Sequence, residues 1–255
     1  MQDSAPPEQS QVQAISLERA LKLLSEGDIE LHGLLPWCSN YTFLITVGDG
    51  ELKATAVYKP CRGERPLWDF PEGTLAMREV AAYIVSEALG FHFVPCTVLR
   101  EVVPVYGPGS IQQFVEYDPG HHYFNFSEED KRRLPPVVLF DLLVNNADRK
   151  GSHVLLEEGT HKLWAIDHGL CFHEEEKLRT VLWDSAGQPI PPDLMERLGA
   201  VERLTKPGGV LRKNLRDYLT AREITAVANR AEHLLATGVF PLPPDHRRAF
   251  PYPPI

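Results

Sequence analysis

The stretch NNADRKGSHVLLEEGTHKLWAIDHG, residues 145–169, decides how this chain is read. Two apolar runs, HVLLEE and KLWAID, flank Gly159–Thr160, which predicts a β-hairpin. A hairpin symmetric about Thr160 sets His153 opposite Asp167, about 5 Å away. Asp148, in the loop entering the hairpin, arrives at the same end. The inference depends on register, since a slip of one residue turns Asp167 to the other face. The chemistry expected of such a set is phosphoryl transfer. One carboxylate orients or deprotonates the acceptor, and another ligates a hard divalent cation. Structural readings stand beside the chemical ones. Asp148 also suits a turn cap after the preceding helix, Asp167 an ordinary strand-end turn, and His153 a packed, hydrogen-bonded histidine. His168 reads as an exposed loop residue.

Working outward, VVLFDLLVNN (137–146) reads as a buried helix entered at Pro135–Pro136. The remainder of this half is helical, most clearly from Thr220 to about Ala236, where T-A-R-E supplies a capping box and Gly238 the stop. The other half is β-rich. A helix from Ser16 to Gly27 precedes two runs, YTFLITV (41–47) and LKATAVYKP (52–60), whose GDGE connection signals a hairpin. A helix from Thr74 to Leu89, closed by Gly90, precedes two further strand-like runs, CTVLREVV (96–103) and GSIQQFVEY (109–117). The expected fold is α+β and two-lobed. Residues 14–116 form a β-rich N-lobe and residues 117–238 a mainly helical C-lobe, with a hinge near 114–120 and a ligand cleft between them. Residues 1–13 read as disordered. Residues 239–255 form a Pro-rich tail extended over the surface, whose PLPP is also a possible docking motif for a partner.

DLLVNNADRKGSHVLL followed by AIDHGLCF resembles the catalytic and metal-binding segments of the phosphatidylinositol 3-/4-kinase-like proteins, most nearly the type II phosphatidylinositol 4-kinases. VYKP, REVAAYIVSEALG and GSIQQFVEY match earlier segments in the right order, so the resemblance spans roughly residues 31–172. It implies a two-lobed, protein-kinase-like fold that binds ATP with Mg2+ or Mn2+. Lys59 would hold the nucleotide phosphates, and Glu79 would pair with it, with Glu87 as a rival. Backbone groups of Gln113, Phe114 and Val115 would bind adenine. GLLPWCSNYTF would be the phosphate-covering loop, with the N–H groups of Ser39, Asn40 and Tyr41 near the β-phosphate. Asp148 would be the catalytic aspartate, with Arg149 and Lys150 facing phosphate or substrate. Asp167 would bind the metal. His153 stands where the family usually has asparagine, and imidazole suits manganese better than magnesium. The covering loop is also poor in glycine.

Composition narrows the partners. A formal net charge of −9 argues against a nucleic-acid binder. No run approaches the roughly 20 apolar residues that span a bilayer, and MQDSAPPEQSQVQ has neither the basic start nor the apolar run of a secretory signal. Cys38, Cys61, Cys96 and Cys171 are widely spaced, as expected of reduced thiols in a cytoplasmic protein. After Asp167 the chain runs HEEEKLRT, acidic first, with no basic amphipathic helix to seat it on anionic lipid. The expected acceptor is therefore a hydroxyl of a protein or small soluble molecule. Inositol lipid, a non-catalytic nucleotide-binding module and nucleotidyl transfer to protein are the alternatives.

Overall fold

A computed structural model describes residues 15–36 and 40–255 of the chain. The expectations of disorder at 1–13 and of a phosphate contact at Ser39 fall outside the described residues.

Helix α1 (Leu17–Glu26) begins where the Ser16 hydroxyl accepts the Arg19 amide, and it buries Leu23 and Leu24 against the sheet. The sheet comprises β1 (Asp28–Leu34), β2 (Phe43–Gly48), β3 (Lys53–Pro60), β4 (Thr97–Arg100) and β5 (Gly109–Gln113), all antiparallel in the order β1-β2-β3-β5-β4. Strand β1 was not anticipated. DIELHGL pairs with β2 and packs Ile29 and Leu31 on the core; its alternation covers only two apolar residues before His32 and Gly33, too short a run to stand out. Strand β3 alternates in burial towards Tyr58 and Pro60, and carries Lys59 between them. Lys59 lies opposite Ser110, and the next pair is Pro60 with Gly109. A β-carbon on Gly109 would sit 2.4 Å from the Lys59 carbonyl, so only glycine lets β5 approach here.

Helix α2 (Leu75–Ala88) lies between the sheet and the helical half, and buries ten of its residues. Burial on two sides explains why a helix containing Arg and Glu shows little amphipathic pattern. Its Ala81, Ala82 and Val85 pack with Phe140, Leu143 and Val144 in the largest core.

The second half contains α3 (Glu128–Lys131), α4 (Pro135–Val144), a two-stranded hairpin of β6 (Val154–Leu156) with β7 (Leu163–Ala165), α5 (Pro192–Thr205), α6 (Val210–Leu215) and α7 (Ala221–Thr237). Helix α4 starts on its two prolines and stops at Asn145, whose φ of 57° is left-handed. Helix α7 has the expected capping box of Thr220 and Glu223, and ends at left-handed Gly238. The arrangement is α+β, an antiparallel sheet with a helical second half.

The hairpin register differs from the symmetric one by one residue. Val154 pairs with Ala165 and Leu155 with Trp164, and beyond the strands Ile166 N–H, not Asp167, meets the His153 carbonyl at 3.0 Å. The Pro-rich tail is extended, as its prolines require, but it is not a loose surface strand. Phe240, Ala249 and Pro251 are buried, and four backbone hydrogen bonds tie it to the second half.

Candidate active site

The register slip does not separate Asp167 from His153. Asp167 lies past the end of β7 with φ 61°, and this left-handed step, uncommon for a side chain with a β-carbon, turns its carboxylate back towards β6. His153 Nε2 then lies 3.2 Å from Asp167 Oδ2, and Lys59 Nζ lies 3.0 Å from Asp167 Oδ1. Lys59 also bonds Glu79, whose side chain is only 2% exposed; the other Glu79 oxygen accepts the His168 amide at 3.0 Å. The rival Glu87 instead pairs with His92. One ammonium thus joins β3, α2 and the turn after β7.

Burial alone would lower the Lys59 pKa, but Asp167 and Glu79 hold it above its ordinary value, so it stays charged. Burial would raise Asp167, yet Lys59, and after it His153, hold it well below the usual carboxylate range. Burial pushes His153 down to about 4 despite Asp167, so its ring is neutral at pH 7. The Lys150 N–H points at Nδ1 from 3.5 Å. With Nδ1 accepting, Nε2 is left to face Asp167.

Asp148 sits on the loop between α4 and β6, its amide bonded to Asn146 Oδ1 at 3.0 Å. Lys150 Nζ is 3.4 Å from its Oδ2. Burial raises the Asp148 carboxyl to about 6, with Lys150 opposing and the Asp167 charge adding to the rise. The two carboxyls are thus pushed apart, Asp148 upward by burial and Asp167 downward by Lys59.

Arg149 requires a correction. Expected to face phosphate or substrate, it is fully buried. Its guanidinium binds Asp141 at 2.8 and 2.9 Å, the carbonyls of His153 and Ile166 at 3.0 and 2.8 Å, and His168 Nε2 at 2.7 Å. It ties the Asp148 loop to both hairpin strands from beneath. His168, expected in an exposed loop, is buried with it. Asp141, not singled out from sequence, had one signal: it is the lone charge in the apolar PPVVLFDLLV, where burial demands a partner.

One expected phosphate contact is already engaged: the Tyr41 amide donates to the Gly63 carbonyl at 3.2 Å. Asn40 Oδ1 accepts the Arg65 amide at 2.7 Å, which leaves the expectation for the Asn40 N–H untouched. At the hinge, the Gln113 and Phe114 amides are bonded to Cys96 and Thr55 carbonyls at 2.9 and 3.2 Å. Val115 is therefore the hinge amide, of the three, with no backbone partner among the described residues. Its side chain is buried with Leu155 and Trp164 in a small apolar cluster.

Arg78, next to Glu79 on α2, was also not anticipated. It is 2% exposed, pairs with Glu223 of α7, and donates to the Cys171 carbonyl at 2.6 Å.

Among the described residues, no three His, Cys, Asp or Glu side chains converge as a ready cation cage. Asp167 still fits a divalent ion of the kind bound by one or two carboxylates and completed by nucleotide phosphates.

No known protein-family profile matches the chain. Protein Rv2133c of Mycobacterium tuberculosis (strain ATCC 25618 / H37Rv) is 37% identical over 266 residues, covering 91% of this chain and 94% of that protein. The chain belongs to the Rv2133c family. Among solved structures, the Golgi casein kinase with Mn/ADP bound superposes with a TM-score of 0.59 at 14% identity, over 86% of this chain and 74% of that one. Hydra Fam20 with sugar gives 0.58 at 17% identity, over 87% and 88%. At such identities the likeness concerns the fold, which is kinase-like.

Proposed function

We propose that the chain is an ATP-dependent phosphotransferase acting on a hydroxyl of a protein or small soluble molecule. The observation that carries this reading is Lys59, bonded at once to Glu79 and to Asp167 3.0 Å away. A lysine linking a helix glutamate to a metal-binding aspartate is the arrangement that holds nucleotide phosphates in kinases.

Lys59 would bind phosphate oxygens, and the Val115 amide beside the Leu155–Trp164 cluster would seat adenine. Asp148 would accept the acceptor hydroxyl's proton, its pKa of about 6 leaving it ionised at neutral pH yet basic enough to take that proton. Lys150 would hold charge near the same oxygen. Asp167 would hold Mg2+ or Mn2+, which when bound neutralises charge on the phosphate oxygens. His153 would fix the Asp167 carboxylate by donating from Nε2. Arg149 would act on the loop from below.

The finer kinship, to the phosphatidylinositol 3-/4-kinases, rests on the order of the five motifs alone. A soluble acceptor is preferred to inositol lipid because Glu174, Glu175 and Glu176 stand exposed just beyond the site, where lipid kinases place cations. Among the described residues no helix is long and apolar enough to cross a membrane.

The test is ATP consumption with magnesium and with manganese, for the parent and Asp148→Ala. Turnover lost in the variant supports the assignment; turnover that survives overturns it. A second reading, a non-catalytic nucleotide-binding module, draws support from the Tyr41 amide already bonded to Gly63. Thermal stabilisation by ATP with no turnover in either metal would select it.

A further inference from the structure

Three segments give backbone hydrogen bonds to the loop that carries Asp148. Ala147 N–H reaches the Leu170 carbonyl at 2.9 Å; Arg149 N–H reaches Arg179 at 3.0 Å, and Val181 N–H returns to Arg149 at 3.1 Å. The third comes from the far end of the chain: Gly151 N–H donates to the Pro254 carbonyl at 2.8 Å.

The tail is anchored well enough to hold that bond. Thr180 N–H donates to the Ala249 carbonyl at 3.0 Å, so residues 179–181 lie between loop and tail and bond to both. Arg247 pairs with Glu176 and donates to the Leu178 carbonyl at 2.6 Å. Ala249 and Pro251 are buried. Gly151 suits the contact because a β-carbon there would meet the Phe124 ring at 2.8 Å. Pro251, Pro253 and Pro254 fix φ before docking and bring no amide that needs a partner, so the tail loses little entropy on binding.

We infer that the C-terminal tail is a positioning element of the phosphotransfer site, holding the Asp148 loop in register through Gly151. This rests on the kinase reading above. It gives the Pro-rich tail a role within its own chain, distinct from capture of an external partner. A loop shift of about 1 Å can lower a rate on the order of 100-fold, so one well-placed carbonyl is a large lever.

The experiment is truncation after Pro251. It removes residues 252–255, all exposed, and keeps buried Ala249 and Pro251. Hydrogen exchange and steady-state kinetics are measured on the full chain and the truncate. The expected result is Gly151 amide exchange at least tenfold faster with the Gln113 hinge amide unchanged, and kcat at least tenfold lower with the KM for ATP within twofold. The double variant Pro253→Gly, Pro254→Gly keeps every carbonyl but loosens the tail, and moves both readouts the same way by less. Unchanged Gly151 exchange, or kcat unchanged or raised, overturns the inference. Should the full chain show no turnover in either metal, the kinase reading fails, and Gly151 exchange alone still decides whether the tail holds the loop.

Discussion

Replacing Asp148 with asparagine should abolish turnover and stabilise the fold, because the proposed base is ionised in a site that disfavours its charge. Its pKa rises from an ordinary 3.8 to about 6. At about 1.4 kcal/mol per unit, the native state prefers the protonated acid by roughly 3 kcal/mol. The folded value lies above the unfolded one, so this stabilisation is complete below pH 4 and lost as pH rises through 6. The carboxylate is 27% exposed and 3.4 Å from Lys150, and screening by that solvent reduces the figure to about 1.5 kcal/mol. Asparagine carries no charge at any pH. Thermal melts at pH 4 to 8 should show coincident curves at the acid end. Between about pH 4 and 6 a gain should open for Asp148→Asn, levelling above pH 6 at roughly 3–6 °C. A gap independent of pH, or an asparagine variant less stable at pH 8, would refute the reasoning.

Lys59→Met should remove turnover and destabilise by about 3 kcal/mol in chemical denaturation, since Glu79 is left buried without its cation. Arg149→Ala should cost about 3 kcal/mol by the same measurement, because Asp141, 1% exposed, loses its ion partner and keeps only the Asn146 amide. Equal stability would mean that the loop is supported elsewhere. His153→Asn should raise the ratio of magnesium- to manganese-supported kcat, because an amide oxygen is a hard ligand that imidazole cannot supply. An unchanged ratio would leave His153 no part in setting the metal.

Much of the fold was legible because its elements carry their own punctuation. Ser16 and the Thr220–Glu223 box start helices, Gly27 and Gly238 end them, and Asp49–Gly50 closes a hairpin between alternating runs. The edge strand β1 carried no such punctuation, being held by backbone pairing and by only two apolar side chains, Ile29 and Leu31. The site was legible in which carboxylates meet but not in how they meet. Counting registers cannot foresee a left-handed residue, and Asp167 reaches His153 only because its backbone turns back where the count fails. Arg149 was misjudged for a different reason. A charge beside a catalytic aspartate suggests substrate, and its true partner, Asp141, lies a helix end away in sequence and beneath the loop in space.

Arg78 and Glu79 are neighbours in sequence, about 100° apart around α2, and their charges engage different elements. Glu79 engages Lys59 and the turn after Asp167, while Arg78 is bonded into α7 and the Cys171 carbonyl. The helix is therefore a strut pinned at two points around its axis. Swinging it outward would break both ion pairs together and strand buried charge at both, a cost of about 3 kcal/mol or more per pair. The lysine–glutamate contact and the α2–α7 contact are thus coupled through one rigid element.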